Sequence, residues 1–251
     1  MDRLVIVTGA ASGIGAAVAW LLHERGWRVV VFDLVPEPAG QHDFSGWITV
    51  DISDEQTVEA AVIQAEHELG PVCGLVNAAG VLGKMHAPNR LRMSDWDREI
   101  AIDLRGTYLA CRAAGSRMAM RGSGAIVNIA SIAGMTSGPL HGYGPAKAAV
   151  IALTTTLAGE WGPHGVRVNA VSPGFTCTKT LEKGVEAGVL DKEMLSRPSA
   201  LRRLVEPGEI ASAVAFLLGP EASATTGANL PVDAGYLVGV TWQPYGPIRG
   251  A

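Results

Sequence analysis

Near its start the chain reads Leu4-Val-Ile-Val-Thr8-Gly9-Ala-Ala-Ser12-Gly13-Ile14-Gly15, and this stretch decides the fold. A short apolar run that passes through a glycine-rich turn into a helix is typical of a β-α unit that binds a dinucleotide. Glycines permit the tight turn and let the backbone approach a pyrophosphate, while the helix N-terminus offers N–H donors and the positive end of its dipole. The context predicts a dinucleotide site containing Gly9, Ser12, Gly13, Ile14 and Gly15; the alternative is a tight turn without a ligand.

The rest of the chain alternates short apolar runs with amphipathic stretches, which predicts β-α-β units and a parallel sheet. Strands are predicted at Leu4–Val7, Arg28–Asp33, Gly46–Val50, Gly74–Asn77, Ala125–Ala130, Val166–Val171 and Asn229–Val232. Helices are predicted at Gly13–Arg25, Glu55–Leu69, Asp95–Arg121, Tyr143–Gly162 and Gly208–Leu218. We expect residues 1–251 to form one α/β domain, a doubly wound Rossmann-type parallel sheet flanked by helices.

Two segments depart from this rhythm. Residues 178–207 mix apolar and charged residues and follow the sixth strand, so they would overhang the carboxyl ends of the strands, where ligands bind in such sheets. We expect a small helical substrate lid there; the alternative is an ordinary two-helix insertion.

The C-terminal tail, residues 236–251, contains Trp242, Pro244, Tyr245 and Pro247. These residues suggest that the tail packs on a neighbouring subunit near its active site.

Composition and charge exclude several functions. The net charge is −4 and there is no long basic run, so we expect neither nucleic acid nor an anionic membrane as a partner. The three cysteines, Cys73, Cys111 and Cys177, lack metal-ligand spacing and are expected to be reduced, with no metal site. Because neither a signal-peptide pattern nor a long apolar stretch occurs, a cytoplasmic protein is expected.

The motif Tyr143-Gly-Pro-Ala-Lys147 indicates the chemistry. Residues four apart lie on one face of a helix, so the lysine cation can stabilise the phenolate of the tyrosine. A tyrosine stabilised in this way is a usable general acid or base. Together with a dinucleotide site, the pair predicts hydride transfer.

Asp33 indicates which dinucleotide is bound. It ends the second predicted strand about 20 residues past the glycines, where an acid accepts hydrogen bonds from the adenosine ribose. A 2′-phosphate would meet like charge there, and the neighbours Phe32 and Leu34 carry no positive charge. We therefore expect NAD rather than NADP; the alternative is a plain solvent-facing residue at a strand end.

Further short motifs occur in a fixed order along the chain. They are Thr8 to Gly15, Asp51-Ile52, Asn77-Ala-Ala-Gly80, Ser131 after a strand, Tyr143 to Lys147, Asn169-Ala-Val-Ser-Pro173-Gly174 and Val232-Asp233-Ala-Gly235. In these motifs, and over nearly its whole length, the chain resembles the compact short-chain dehydrogenases/reductases. Relatives are usually tetramers or dimers, so the resemblance also implies a homotetramer or homodimer.

The resemblance implies roles for individual residues. Tyr143 is the implied general acid/base, Ser131 polarises the substrate oxygen, and Lys147 contacts the nicotinamide ribose. Asp51 and Ile52 would read the adenine edge. The implied cofactor-binding set also includes Asn77, Ala78, Gly80, Tyr143, Lys147, Pro173, Gly174, Thr176 and Thr178.

Two positions depart from the family pattern. Ala78 replaces a second asparagine, which is a mild change. Asp103 stands where most relatives have an asparagine that helps to hold a proton-relay water near the lysine. Its backbone carbonyl could still bind that water, but a carboxylate offers no N–H donor and would weaken the lysine's effect on Tyr143. Asp103 is thus expected to preserve the relay with an altered pH dependence, or to be nearly silent.

The expected activity is NAD-dependent interconversion of a secondary alcohol (a polyol, sugar alcohol or cyclic alcohol) and its ketone. A cyclic dihydrodiol is the alternative substrate, because the broken Leu34–Ser45 connection resembles that of dihydrodiol dehydrogenases. A dinucleotide-binding sensor without activity is a third hypothesis, against which Ser131, Tyr143 and Lys147 argue. His141 is a candidate substrate contact, and apolar pocket walls are expected from Leu82, Met135, Leu140, Phe175 and Met194.

Overall fold

The computed structural model describes residues 3–38, 43–83 and 85–245. Its centre is a seven-stranded sheet in the order β3-β2-β1-β4-β5-β6-β7, in which every paired strand is parallel. The strands are β1 Leu4–Thr8, β2 Arg28–Asp33, β3 Gly46–Thr49, β4 Val72–Asn77, β5 Gly124–Ile129, β6 Val166–Pro173 and β7 Asn229–Val232. The strand order reverses between β1 and β4, which is the switch point at which such sheets bind ligands. The expected doubly wound fold is confirmed.

Helices cover both faces of the sheet. The longer ones are Gly13–Glu24, Glu55–Leu69, Tyr143–Trp161 and Pro207–Leu218. A further continuous helical segment, from Met93 to Arg121, contains two wide π-helical turns at Ile100–Gly106 and Cys111–Gly115. The sequence predicted this segment as one helix but not its wide turns, which are frequent at functional sites. None of the helices in the described ranges is long and apolar enough to cross a membrane.

The alternation of side chains along the strands divides the core in two. Along β1, Leu4 and Ile6 pack on one face of the sheet, while Val5 and Val7 pack on the other. Both faces are buried because helices cover both, which explains why the strands read as nearly continuous apolar runs. The Gly13–Glu24 and Pro207–Leu218 helices lie together on the face of Val5 and Val7.

Most predicted boundaries are within two residues of the observed ones, and β4 shows why they differ. The sequence placed its start at Gly74, but the strand begins at Val72. Gly74 lies inside the strand because a Cβ there would be 3.0 Å from Val5 Cγ2 and 3.2 Å from the Trp27 ring. This glycine serves close packing of the sheet and does not mark the edge of a strand.

The segment at 178–207 forms two short helices, Lys179–Glu186 and Lys192–Ser196. Its return is anchored where Val205 pairs with the backbone of Phe175 and Cys177, at 2.9 and 2.8 Å. The predicted small helical insertion is therefore present after β6. In the tail, Tyr236–Gly239 and Val240–Tyr245 are short helical turns. Residues 246–251, with Pro247 of the predicted tail contact, lie outside the described residues, as do residues 39–42 of the Leu34–Ser45 connection.

Candidate active site

The glycine turn forms a cradle that side chains would fill. Gly9 has a φ of +68°, and a Cβ there would lie 2.5 Å from Ala79 Cα in the loop after β4. A Cβ on Gly15 would overlap the carbonyl oxygen of Gly9. Ser12 precedes the Gly13–Glu24 helix without capping it by its side chain. The first-turn N–H groups and the bare backbone at the switch point fit the pyrophosphate of a dinucleotide.

Asp33 lies beside this cradle, as its position in the sequence predicts. Its Oδ2 accepts a hydrogen bond of 2.9 Å from the Ala11 N–H of the glycine turn, and its Oδ1 accepts one of 3.0 Å from the Val35 N–H. The carboxylate therefore holds the glycine turn at the end of β2. Its remaining acceptor capacity is at the place where an adenosine ribose is bound in sheets of this kind.

The residues proposed to contact adenine differ in exposure. Asp51 is exposed, and hydrogen bonds from the Ser53 hydroxyl and N–H lower the pKa of its carboxyl. Ile52 is buried, with its side chain against the Gly106 position of the wide helical turn. Asp51 is thus available for a polar contact, while Ile52 mainly supports the wall behind it.

The side chain of Asn77, a predicted cofactor-binding residue, points into the core. It is 2% exposed, and its amide donates to Asn128 Oδ1 at 2.8 Å and to Cys111 Sγ at 3.1 Å. Asn128 in turn donates to the hydroxyl of Thr154 at 3.0 Å. The cofactor contact predicted for Asn77 stays a prediction, and with the side chain turned inwards only its backbone could make it. This buried network, in which desolvation raises the pKa of Cys111 to about 12, was missed because its members are far apart in sequence.

The loop after β4 is fixed by β1. The Thr8 hydroxyl accepts hydrogen bonds of 3.1 Å from the N–H groups of Ala78 and Ala79. A Cβ at Gly80 would lie 2.5 Å from Asp103 Oδ1 and 3.4 Å from Lys147 Nζ. Ala78 and Gly80 thus lie between the glycine turn on one side and Asp103 and Lys147 on the other.

Tyr143 and Lys147 lie one turn apart at the start of the Tyr143–Trp161 helix, as predicted. The ammonium of Lys147 is 5.5 Å from the centre of the Tyr143 ring. Lys147 is 4% exposed and donates a hydrogen bond of 3.0 Å to the Ile129 carbonyl at the end of β5. Ser131 follows two residues later and is buried, and its hydroxyl accepts a hydrogen bond of 3.1 Å from the Ala133 N–H. The end of β5 and the helix start therefore carry three of the four predicted catalytic residues, Ser131, Tyr143 and Lys147, and Asp103 is the fourth.

Asp103 forms a buried ion pair with Lys147. It is fully buried, its Oδ1 lies 3.3 Å from Lys147 Nζ, and the same oxygen accepts a hydrogen bond of 3.2 Å from the Val81 N–H. Burial raises the pKa of the Asp103 carboxyl, although the Lys147 cation opposes this. Within the described part of the chain Oδ2 has no hydrogen-bond partner. The Asp103 carbonyl, proposed to hold a relay water, already accepts the Thr107 hydroxyl at 2.8 Å.

The segment after β6 faces the glycine turn. Gly174 packs against Asp233, whose Cα would lie 2.7 Å from a Cβ at Gly174. The Thr176 hydroxyl donates to the Gly174 carbonyl at 2.9 Å, and the Thr178 side chain caps the Lys179–Glu186 helix. Thr178 Cγ2 would be 3.8 Å from a Cβ at Gly13, so this segment and the nucleotide cradle are in contact. Pro173, the last residue of β6, is buried beneath them.

Other candidates have less defined places. His141 is exposed, and its carbonyl accepts a hydrogen bond from Trp96. Leu82 and Met135 are exposed enough to line a pocket. Glu99, which the sequence did not single out, is buried to 4% exposure, and burial followed by the charge of Asp103 raises the pKa of its carboxyl. Among the residues described, no group of three or more His, Cys, Asp or Glu side chains is placed to bind a metal ion.

Comparison with known proteins identifies a matching family and relatives over nearly the whole chain. Residues 9–237 match the sequence model of a family described as enoyl-(acyl carrier protein) reductase. The chain is 37% identical to D-threitol dehydrogenase from Mycolicibacterium smegmatis over 94% of this chain and 93% of that protein. It is 39% identical to cis-4-hydroxycyclohexanecarboxylate dehydrogenase from Sinomonas cyclohexanicum over 94% of this chain and 96% of that protein.

A solved structure named ribose-5-phosphate isomerase, from Brucella melitensis 16M, superposes with a TM-score of 0.95 at 50% identity, covering 99% of this chain and 98% of that chain. Its name differs in reaction type from the dehydrogenase relatives, although its backbone is nearly the same. The family match and the full-length dehydrogenase relatives show that the chain belongs to the short-chain dehydrogenase/reductase family of oxidoreductases.

Proposed function

We propose that the protein is an NAD-dependent dehydrogenase that interconverts a secondary alcohol and its ketone. The observation that carries this proposal is the buried Lys147 ammonium, 5.5 Å from the Tyr143 ring and hydrogen-bonded to the strand that leads to Ser131. A cation held this close favours a phenolate, and a phenolate accepts the proton of an alcohol. A protein that only sensed the dinucleotide would have no use for this arrangement.

Side chains of the protein accept the hydroxyl proton of the substrate and bind its oxygen. In the oxidation direction Tyr143 accepts the hydroxyl proton of the substrate, and the Ser131 hydroxyl donates a hydrogen bond to the same oxygen. Lys147 stabilises the phenolate and is itself held by the Ile129 carbonyl and Asp103. The bound nicotinamide supplies the acceptor for the hydride. The glycine turn, the segment from Pro173 to Thr178 and Asp33 would hold that cofactor in place.

The choice of NAD rests on Asp33. Its carboxylate lies beside the glycine turn, where a 2′-phosphate would bring negative charge against negative charge. Members of the family bind a nicotinamide dinucleotide, and the names of similar proteins include both kinds. One is NAD-dependent glycerol dehydrogenase from Listeria innocua, at 35% identity, and another is ElxO with NADP bound, at 29%. Asp33 is the feature of this chain that favours NAD.

The substrate class is proposed from the named relatives and from the insertion. D-threitol and cis-4-hydroxycyclohexanecarboxylate both carry secondary hydroxyl groups, the first on an acyclic polyol and the second on a ring. In the 178–207 segment Val189 and Met194 are 63% and 73% exposed, so closure over a substrate would remove apolar surface from water. We therefore keep the segment as a proposed lid, and a polyol or cyclic alcohol as the proposed substrate.

The test is a panel of substrates with NAD and with NADP, followed by the absorbance of the reduced nicotinamide. D-threitol, galactitol, glycerol and cis-4-hydroxycyclohexanecarboxylate form the alcohol arm. Ribose 5-phosphate without added cofactor forms a second arm, because the Brucella protein is named an isomerase. Tyr143→Phe is the matched control and should lower turnover by about 10²–10⁴-fold. Isomerisation of ribose 5-phosphate without any alcohol oxidation would refute the proposed function.

A further inference from the structure

The helix that carries Tyr143 and Lys147 has no cap of its own. Gly142 is the residue before its first turn and has no side chain to accept from the N–H groups there. The first N–H groups of a helix have no partner within the helix, and those that are buried need an acceptor from elsewhere. In this helix the Gly144 N–H donates to the Leu140 carbonyl at 2.9 Å and Pro145 has no N–H, which leaves the Tyr143 N–H for a side chain from another segment.

Glu99 from the neighbouring helical segment fills this role. Its carboxylate lies in a slot between two glycines: a Cβ at Gly142 would lie 2.5 Å from Oε2, and a Cβ at Gly83 would overlap Oε1. The backbone N–H of Tyr143 is close enough to this carboxylate to lower its pKa, against the rise that burial causes. The side chain is 4% exposed, so water does not compete freely for that N–H.

Trp96 supports the same segment one helical turn before Glu99. Its Nε1–H donates a hydrogen bond of 3.3 Å to the His141 carbonyl, and its ring lies 3.3 Å from the Cβ position of Gly142. One side chain thus donates to the residue two before Tyr143, and the carboxylate of the other lies against Gly142, the residue just before Tyr143. Residues three apart lie on the same face of a helix, which makes the two contacts a single clamp.

We propose that Glu99 is a positioning residue that, together with Trp96, fixes the start of the catalytic helix and so places the Tyr143 hydroxyl for proton transfer. The inference rests on the proposed dehydrogenase function and adds a residue to it. The charged groups near Glu99 are Asp103 and Asp95, which oppose its charge, and Arg98, which favours it. Asp103 contacts Lys147, so the clamp and the ion pair meet on one helical segment.

Two substitutions separate hydrogen bonding from packing and charge. Glu99→Gln keeps a carbonyl oxygen beside the Tyr143 N–H but removes the charge, whereas Glu99→Met keeps the volume and removes the acceptor. Asp97→Asn, an exposed change on the same helix, is the matched control. We expect Glu99→Met to lower kcat by about 10- to 100-fold with little change in the KM for NAD, because a small displacement of a catalytic group has that effect. Glu99→Gln should stay within about threefold of the wild type because its acceptor remains.

A second measurement does not depend on turnover. In the free protein, hydrogen–deuterium exchange in peptides containing Tyr143 should be faster in Glu99→Met than in Glu99→Gln, whose exchange should match that of the wild type. Gly83→Ala should resemble Glu99→Met in both readouts because the added Cβ displaces the carboxylate.

Three results would overturn the inference: unchanged kcat in Glu99→Met, equal losses in the Met and Gln variants, or equal exchange in the two. A wild type that oxidises no alcohol would count against the proposed function instead, while the exchange data would still decide the role of Glu99.

Discussion

Replacing Asp103 by Asn should make the enzyme active at lower pH. The carboxylate of Asp103 is fully buried and lies 3.3 Å from the Lys147 ammonium, which we propose to stabilise a Tyr143 phenolate. A negative charge there offsets part of the lysine's effect. An asparagine has nearly the same shape but no charge, so the exchange isolates the electrostatic contribution.

The distances set the expected size of the effect. With the phenolate charge placed at the ring centre and an effective dielectric constant of about 20, the Lys147 ammonium at 5.5 Å stabilises a phenolate by about 3 kcal/mol. Asp103 Oδ1 is 3.3 Å from the same nitrogen and hence no farther than about 9 Å from the ring centre, where it opposes a phenolate by about 2 kcal/mol. Since about 1.4 kcal/mol corresponds to one pH unit, and water entering with the substrate screens part of the repulsion, we expect a shift of about one unit.

The assay is the pH dependence of kcat/KM for alcohol oxidation. Oxidation needs the base form of the catalytic group, so its acidic limb should move to lower pH by about one unit in Asp103→Asn. Asp97→Asn, with an exposed side chain on the same helical segment, is the control for nonspecific charge effects and should leave the profile in place. Superimposable profiles for the wild type and Asp103→Asn, or a shift to higher pH, would refute the reasoning.

Three further predictions concern the cofactor and stability. Asp33→Ala should lower kcat/KM with NAD by about 10- to 100-fold because the cofactor loses hydrogen bonds to a charged acceptor. The loss of kcat/KM with NADP should be smaller. Equal losses with the two cofactors would mean that Asp33 acts only by holding the Ala11 N–H of the glycine turn. Arg203 donates two hydrogen bonds of 2.7 Å to the Glu209 carboxylate. These bonds, together with one from the Glu206 N–H, lower the pKa of Glu209 to about 2. Glu209→Gln should therefore lower the free energy of unfolding in urea by about 1 kcal/mol at neutral pH, and by less as the pH falls from 4.5 towards 2; a loss independent of pH would contradict this. Burial raises the pKa of Glu99, so the folded state binds its proton more tightly than the unfolded chain does. The wild type should therefore lose thermal stability relative to Glu99→Gln as the pH rises above about 4.3. Melting temperatures that stay parallel across this range would contradict the prediction.

The sequence predicted those parts of the site whose chemistry is local. The glycine turn, Asp33 at the end of β2 and the Tyr143–Lys147 pair are each recognisable within a few residues, because a turn or one helical repeat fixes their relation. Their positions in the fold are the predicted ones, and their roles stay predictions. The boundary of β4 was less accurate since the role of Gly74 depends on Val5 and Trp27, which lie elsewhere in the sequence.

What the sequence could not predict depends on contacts between distant segments. Asn77 has the residue type of a ligand-binding position, yet Asn128 and Cys111 direct its side chain into the core. Glu99 has the residue type of a solvent-exposed helix position, yet Gly83 and Gly142 leave a slot for its carboxylate. In both cases the decisive partners come from other strands or helices, and only the assembled fold brings them together.

The wide turn at Ile100–Gly106 changes the rotation about the helix axis between the two halves of a long helical segment. Upstream of it Trp96 and Glu99 face the start of the catalytic helix, within it Asp103 faces Lys147, and downstream Leu109 and Met118 face the core. Each residue advances an ordinary helix by about 100°, so removing one residue here would restore regular winding and rotate one half against the other by that angle. The segment should thus tolerate changes of side chain far better than changes of length, because its spacing keeps three sets of contacts in register.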